Sequence, residues 1–186
     1  MIETQVQYLQ EAAKCRDLFV RKMEDYGTAW RILRLSSLVD QIFIKAKRIR
    51  NLEENEMQMV EDAIDSEYMG IVNYGLMALI QKDCGIDDEM SMPKEKVIEQ
   101  YDKYLGHAKE LMLLKNHDYG EAWRTMNRSS LTDLILMKVL RTRQIMSNEG
   151  KTIASEGIDA NFLDMINYAL FALIKITEGL AKSTAT

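Results

Sequence analysis

The sequence predicts an all-α protein of two homologous three-helix halves, packed as an intrachain pseudo-dimer in a helical bundle. Three observations predict it. The 186 residues include 9 glycines and a single proline, Pro93, too few turn formers for the frequent turns of an all-β chain. Apolar residues recur at helical spacing over long stretches. Finally, Asp25-Tyr26-Gly27-Thr28-Ala29-Trp30-Arg31 returns as Asp118-Tyr119-Gly120-Glu121-Ala122-Trp123-Arg124, and the match extends from Tyr8 and Tyr101 almost to the end of each half. A fused pair of like units implies an internal interface related by a pseudo-two-fold axis.

The first helix is expected over about residues 3–24, with Val6, Leu9, Ala13, Leu18 and Val20 on its buried face, and its copy over about 94–116. The Asp-Tyr-Gly block interrupts it, because glycine can take the positive φ that ends a helix. The second helix is expected to start near Ser36 or Ser129 as N-caps and to run to about Leu52 or Met146. The third is expected over about 60–82 and 157–181. There Asn73-Tyr74-Gly75-Leu76-Met77-Ala78-Leu79-Ile80 matches Asn167-Tyr168-Ala169-Leu170-Phe171-Ala172-Leu173-Ile174, apolar nearly all round and so central. Between the halves Gly85, Asp87, Asp88 and Ser91 break the helical pattern, and Pro93 suits a helix's first turn. The units are therefore 1–87 and 88–186, together one globular domain.

Composition narrows the function. A formal net charge of −5 argues against a general nucleic-acid binder or a binder of anionic membranes, both of which need excess Lys and Arg. No apolar run approaches the roughly 20 residues that span a bilayer, and Met1 to Cys15 does not read as a signal peptide. Cys15 and Cys84 lack metal-ligand spacing and read as reduced thiols of a cytoplasmic protein. His107 and His117 belong to no di-iron or triad pattern, and no glycine-rich phosphate loop is present.

Two groups of residues carry chemistry. Glu156 and Asp159 stand one turn apart at the start of the last helix, as Asp62 and Asp65 do in the first half. Asp164 interrupts an apolar stretch, where a buried carboxylate needs a partner, and Asp133 could face it from an antiparallel neighbour. Such oxygen ligands suit Mg²⁺, with Mn²⁺ as substitute, and acids in a first turn also simply complement the helix dipole. Lys45 and Arg48 recur as Lys138 and Arg141, spaced i, i+3 on one helical face, with Arg143 following. They could hold phosphates, or pair with the acids as a structural network. Tyr26, Trp30, Tyr119 and Trp123 could stack on a base or sit in the core. Asn73 and Asn167, inside apolar helices, need partners, which either a ligand or the other half could supply.

The Lys-x-x-Asp-Tyr-Gly-x-Ala-Trp block, the Ser-Leu-[Val/Thr]-Asp…Lys-x-x-Arg-x-Arg helix and the Asn-Tyr-x-Leu-x-Ala-Leu-Ile helix resemble the nucleotide modification associated domain 1 family, twice over. That family is similar to the all-α nucleoside triphosphate pyrophosphohydrolases, the MazG and dimeric dUTPase group. The resemblance implies a MazG-like bundle, a nucleotide ligand and Mg²⁺ held by acids on two antiparallel helices, with cleavage between the α- and β-phosphates. Glu156, Asp159, Asp164 and Asp133 would hold the metal; Lys115, Lys138, Arg141, Arg143, Lys45 and Arg48 would meet phosphate. Gly70 stands where Asp164 stands in the second half, so the second half is the expected seat of the site. The rival expectation is a non-catalytic structural or regulatory module with a degenerate metal site. Association into a homo-oligomer is left open.

Overall fold

The computed structural model describes residues 2–54, 64–154 and 156–184. Six helices carry the chain: α1 (Ile2–Tyr26), α2 (Leu35–Glu54), α3 (Ile64–Cys84), α4 (Lys94–Tyr119), α5 (Arg128–Ser147) and α6 (Ile158–Thr184). No strand occurs among the described residues. Short 3-10 turns, Ala29–Ile32 and Ala122–Thr125, follow the first helix of each half. The two halves thus repeat one three-helix plan, as the duplication predicts.

The third helices are central because their apolar residues leave no polar face to offer water. α3 packs against α6 along the middle, α2 covers α3, α5 covers α6, and α2 also meets α5 across the halves. Ile71, Val72, Leu76 and Ile80 of α3 and Phe162, Ile166, Leu170 and Ile174 of α6 are among the buried residues of one continuous core.

Four details differ from expectation. The buried stripe of α1 is Tyr8, Ala12, Cys15, Phe19 and Met23, whereas Val6 and Leu9 are half exposed. Large rings and small residues, rather than the aliphatics, fit the close approach to the other half. Helices α1 and α4 run through the Asp-Tyr pair to Tyr26 and Tyr119, and it is Gly27 and Gly120 that end them, with φ of 62° and 60°. Helices α2 and α5 start just before Ser36 and Ser129, so neither serine is the cap; the capping position of α5 is Asn127. Pro93 takes the capping position of α4 rather than its first turn. The expected start of the third helix near residue 60, and Asp62 with it, lies outside the described residues.

The halves lock through a reciprocal set of buried hydrogen bonds. The Tyr8 hydroxyl of α1 donates to Asn167 Oδ1 of α6 at 2.8 Å, and Asn167 Nδ2 donates to the Ala108 carbonyl of α4 at 3.0 Å. The mirror set has Tyr101 of α4 donating to Asn73 Oδ1 of α3 at 2.8 Å, and Asn73 Nδ2 donating to the Cys15 carbonyl of α1 at 3.1 Å. Outside the core, Arg143 binds Asp40 at 2.8 Å and Arg50 reaches Asp133 at 3.6 Å, again a symmetric pair across the halves. Corresponding residues exchange corresponding contacts, which is what an isologous interface requires.

Both cysteines are free, Cys15 buried and Cys84 exposed. Burial, with the charge of Glu11, pushes the Cys15 thiol up to about 12. One thiol per chain is therefore expected to react with a disulfide reagent in the native protein and two after denaturation. Rapid reaction of both in the native state would contradict the packing of Cys15.

Candidate functional site

The buried charges of the two halves differ by one helical turn. On α3 the carboxylate is Glu67 and the corresponding residue of α6 is the neutral Asn161; one turn further on, α3 has Gly70 and α6 has Asp164. Each carboxylate is almost fully buried. Glu67 binds two cations of α2, Lys45 at 3.1 Å and Arg48 at 2.7 Å. Asp164 instead binds Lys138 of α5 at 2.6 Å and Lys115 of α4 at 2.5 Å. Burial opposes the charge on Lys115, but its bond to Asp164 and that group's charge outweigh it and raise its pKa.

A different cation is left over in each half. In the first half Lys22, the counterpart of Lys115, is exposed and has no ion pair among the described residues. In the second half Arg141, the counterpart of Arg48, is exposed and likewise has none, because Asn161 bonds the Gly157 carbonyl instead. The side chains of the third helix, and not the cations themselves, decide which cation faces solvent alone.

In the first half this leaves a cavity of about 300 Å³. Lys22 and Phe19 of α1, Trp30 of the 3-10 turn, Lys45 of α2, and Gly70, Tyr74 and Met77 of α3 line it, with Tyr26 at the rim. Gly70 lets Lys45 lie against the α3 backbone: a Cβ there would lie 2.5 Å from Lys45 Cε and push the lysine aside. Phe19 meets Trp30 edge-on with centroids 6.3 Å apart, and Lys45 Nζ lies 6.0 Å from the Tyr74 ring centre. Burial, then the charge of Glu67, raises the Tyr74 pKa, so its phenol is a neutral donor. The indole Nε1 of Trp30 is buried without a hydrogen-bond partner. Cations beside flat rings, in a volume at the lower end of the ~300–1,000 Å³ usual for small-molecule sites, suit a planar anionic ligand.

At the matching place in the second half, the protein's own side chains meet each other. Asp164 stands where Gly70 does and joins the two lysines. Phe171 stands where Met77 does and stacks on Trp123, centroids 4.2 Å apart and planes within 2° of parallel. A second depression of about 480 Å³ opens on the other side of Lys138, lined by Arg141, Asn148, Lys151, Glu156 and Asn161 among others. It has no aromatic wall, and Glu156 adds a negative charge to it.

The expected metal ligands are not brought together. Asp133 is exposed and faces Arg50; Asp159 is exposed and binds Lys82 at 2.7 Å; Glu156 is exposed; both oxygens of Asp164 are held by lysines. Among the described residues no three His, Cys, Asp or Glu side chains gather as a metal site. These acids do not form a preassembled cage. Of the expected phosphate contacts, Arg141 is open to solvent, Lys115, Lys138, Lys45 and Arg48 are paired with buried acids, and Arg143 is spent on Asp40 and the Phe43 ring. Of the aromatic residues, Tyr26 and Tyr119 are exposed, Trp123 is buried, and Trp30 faces the cavity. Asn73 and Asn167 have their amides fully engaged, the oxygen by a tyrosine of the other half and the NH2 by a carbonyl of their own.

The residues not anticipated are Lys22, Glu67, Phe19, Tyr74 and Met77. Glu67 could have been found by asking which acid meets Lys45 and Arg48 once Gly70 is seen to supply none. No helix among the described residues is long and apolar enough to cross a membrane. Comparison with curated proteins and with solved structures found no match. The model of one family matches twice, over residues 22–81 and 115–176, which include the cavity's Lys22, Trp30, Lys45, Gly70, Tyr74 and Met77 and their counterparts. The chain belongs to the nucleotide modification associated domain 1 family, in tandem duplicate.

Proposed function

We propose that the protein binds a nucleotide in the first-half cavity. The observation that carries this reading is the meeting of Lys22 and Lys45 with the rings of Trp30 and Tyr74 around a cavity floored by Gly70. The family's association with nucleotide modification supports the ligand class. Lys22 and Lys45 take the phosphate, and the rings take the base. Mg²⁺, on this reading, arrives on the ligand's phosphates, since the expected acids form no cage for it.

Hydrolysis between the α- and β-phosphates asks for more: a carboxylate free to act on water or metal. Of the four expected acids, Asp164 has neither oxygen free, Asp133 and Asp159 face cations, and none of the four lines the first-half cavity, so binding is the function the geometry supports best. The rival reading, a non-catalytic module, is favoured by the ion pairs that occupy most of the repeated cations.

A panel of ribo- and deoxyribonucleoside triphosphates with Mg²⁺ separates these readings. A bound nucleotide at 100 times its Kd adds about 2.7 kcal/mol of stability, a rise of several degrees in Tm. Pyrophosphate release in the same tubes reports hydrolysis. No Tm shift with any nucleotide supports the rival. In Trp123→Phe, where Trp30 is the remaining tryptophan, nucleotide is expected to quench fluorescence. Lys22→Ala is expected to weaken binding about tenfold or more, the loss of one charge-assisted hydrogen bond of ~1.5–3 kcal/mol, with Tm of the free protein unchanged. Unaltered affinity would remove Lys22 from the site.

A further inference from the structure

We infer that the second half carries a built-in imitation of the first half's ligand, so that the chain has one nucleotide site and not two; this rests on the nucleotide reading above. Asp164 and Phe171 lie two turns apart on one face of α6, about 10 Å along the axis. One presents an anionic group to Lys115 and Lys138, and the other lays a flat ring on Trp123. Their counterparts, Gly70 and Met77, present neither, and there Lys22, Lys45 and Trp30 line a cavity. The ligand that completes the first half therefore supplies what α6 supplies in the second: an anionic group for Lys22, beside Lys45 with its own Glu67, and a flat ring for an indole. Positions two turns apart on α6 call for a linker between ring and acid, as the sugar of a nucleotide provides between base and phosphate. A free base or inorganic phosphate satisfies one end alone.

The carboxylate's position makes the arrangement exchangeable. Lys45 and Lys138, the corresponding cations, each keep one buried acid, from Glu67 below or from Asp164 one turn above. Moving the acid along the helix opens or closes the cavity without stripping either lysine of its partner.

Isothermal titration with the tightest-binding triphosphate of the panel, beside the free nucleoside and inorganic phosphate, tests this. Wild type is expected to bind one nucleotide, and the nucleoside or phosphate alone at least tenfold more weakly. Asn161→Glu/Asp164→Gly/Phe171→Met, which gives α6 the first-half set, is expected to bind two. Glu67→Asn/Gly70→Asp/Met77→Phe, which gives α3 the second-half set, is expected to bind none while keeping its helical circular dichroism. One site in a folded opening variant, or an undiminished site in the closing variant, overturns the inference and leaves the nucleotide reading standing. No binding by wild type overturns the nucleotide reading itself.

Discussion

Asp164→Asn is expected to destabilise the protein by about 3 kcal/mol, at the lower end of the ~3–5 kcal/mol cost of breaking a buried ion pair. Lys138 is 7% exposed and its ammonium lies 2.6 Å from the carboxylate, so the change leaves a buried charge without a counter-ion. Lys115 is more open to water and recovers part of its loss by hydration. Urea denaturation measures the change. The pH dependence gives a second check. The pKa of Lys115 is raised above its ordinary 10.5, so its contribution is whole below that value and is lost as pH rises through the raised one. The gap between wild type and Asp164→Asn is expected to narrow at such alkaline pH. A variant as stable as wild type would show that the acid is not the neutralising partner of Lys138. The measurement also guards any activity assay, because lost turnover in this variant says little unless the fold is intact.

Asn167→Leu is expected to cost about 2–4 kcal/mol, because it strands the Tyr8 hydroxyl in the core and removes a donor from the Ala108 carbonyl. Asn73→Leu is expected to cost a similar amount, since Tyr101 and Cys15 stand in the mirrored places. Tyr8→Phe should cost less alone, and the pair Tyr8→Phe/Asn167→Leu should cost less than the two changes added, since each removes the other's stranded partner. Additive costs would mean that the bond does not join the halves energetically. Because the Tyr8–Asn167 and Tyr101–Asn73 bonds cross between halves, the loss should appear as lower global stability in a single transition, not as early melting of one half.

The number and order of helices were legible because they depend on local spacing: the apolar periodicity of α3 and α6, the scarcity of turn residues, and the glycines that end α1 and α4. The buried stripe of α1 was less legible. Val6 and Leu9 are as hydrophobic as core residues, but the side facing the other half is set by Tyr8, Cys15 and Phe19, whose partners lie far along the chain. The candidate site divides in the same way. The repeated cations and the Asp164–Gly70 difference stood out once the copies were aligned. That the difference opens the first half and closes the second did not, since an acid written in a sequence can bind a metal or a lysine with equal ease.

The duplication, the all-helical class, the family and the reserve of repeated cations are properties of the sequence itself, because they rest on residue identity and on spacing along one chain. Only the tertiary structure decided the use of those residues. It bound Asp164 to two lysines, turned Asp133 to Arg50, paired Asn73 and Asn167 with tyrosines of the opposite half, and left Lys22 facing an open cavity. Charge pairing and cavity space depend on distances between helices, and a shift of one turn along α3 or α6 changes both while barely altering the pattern of the sequence.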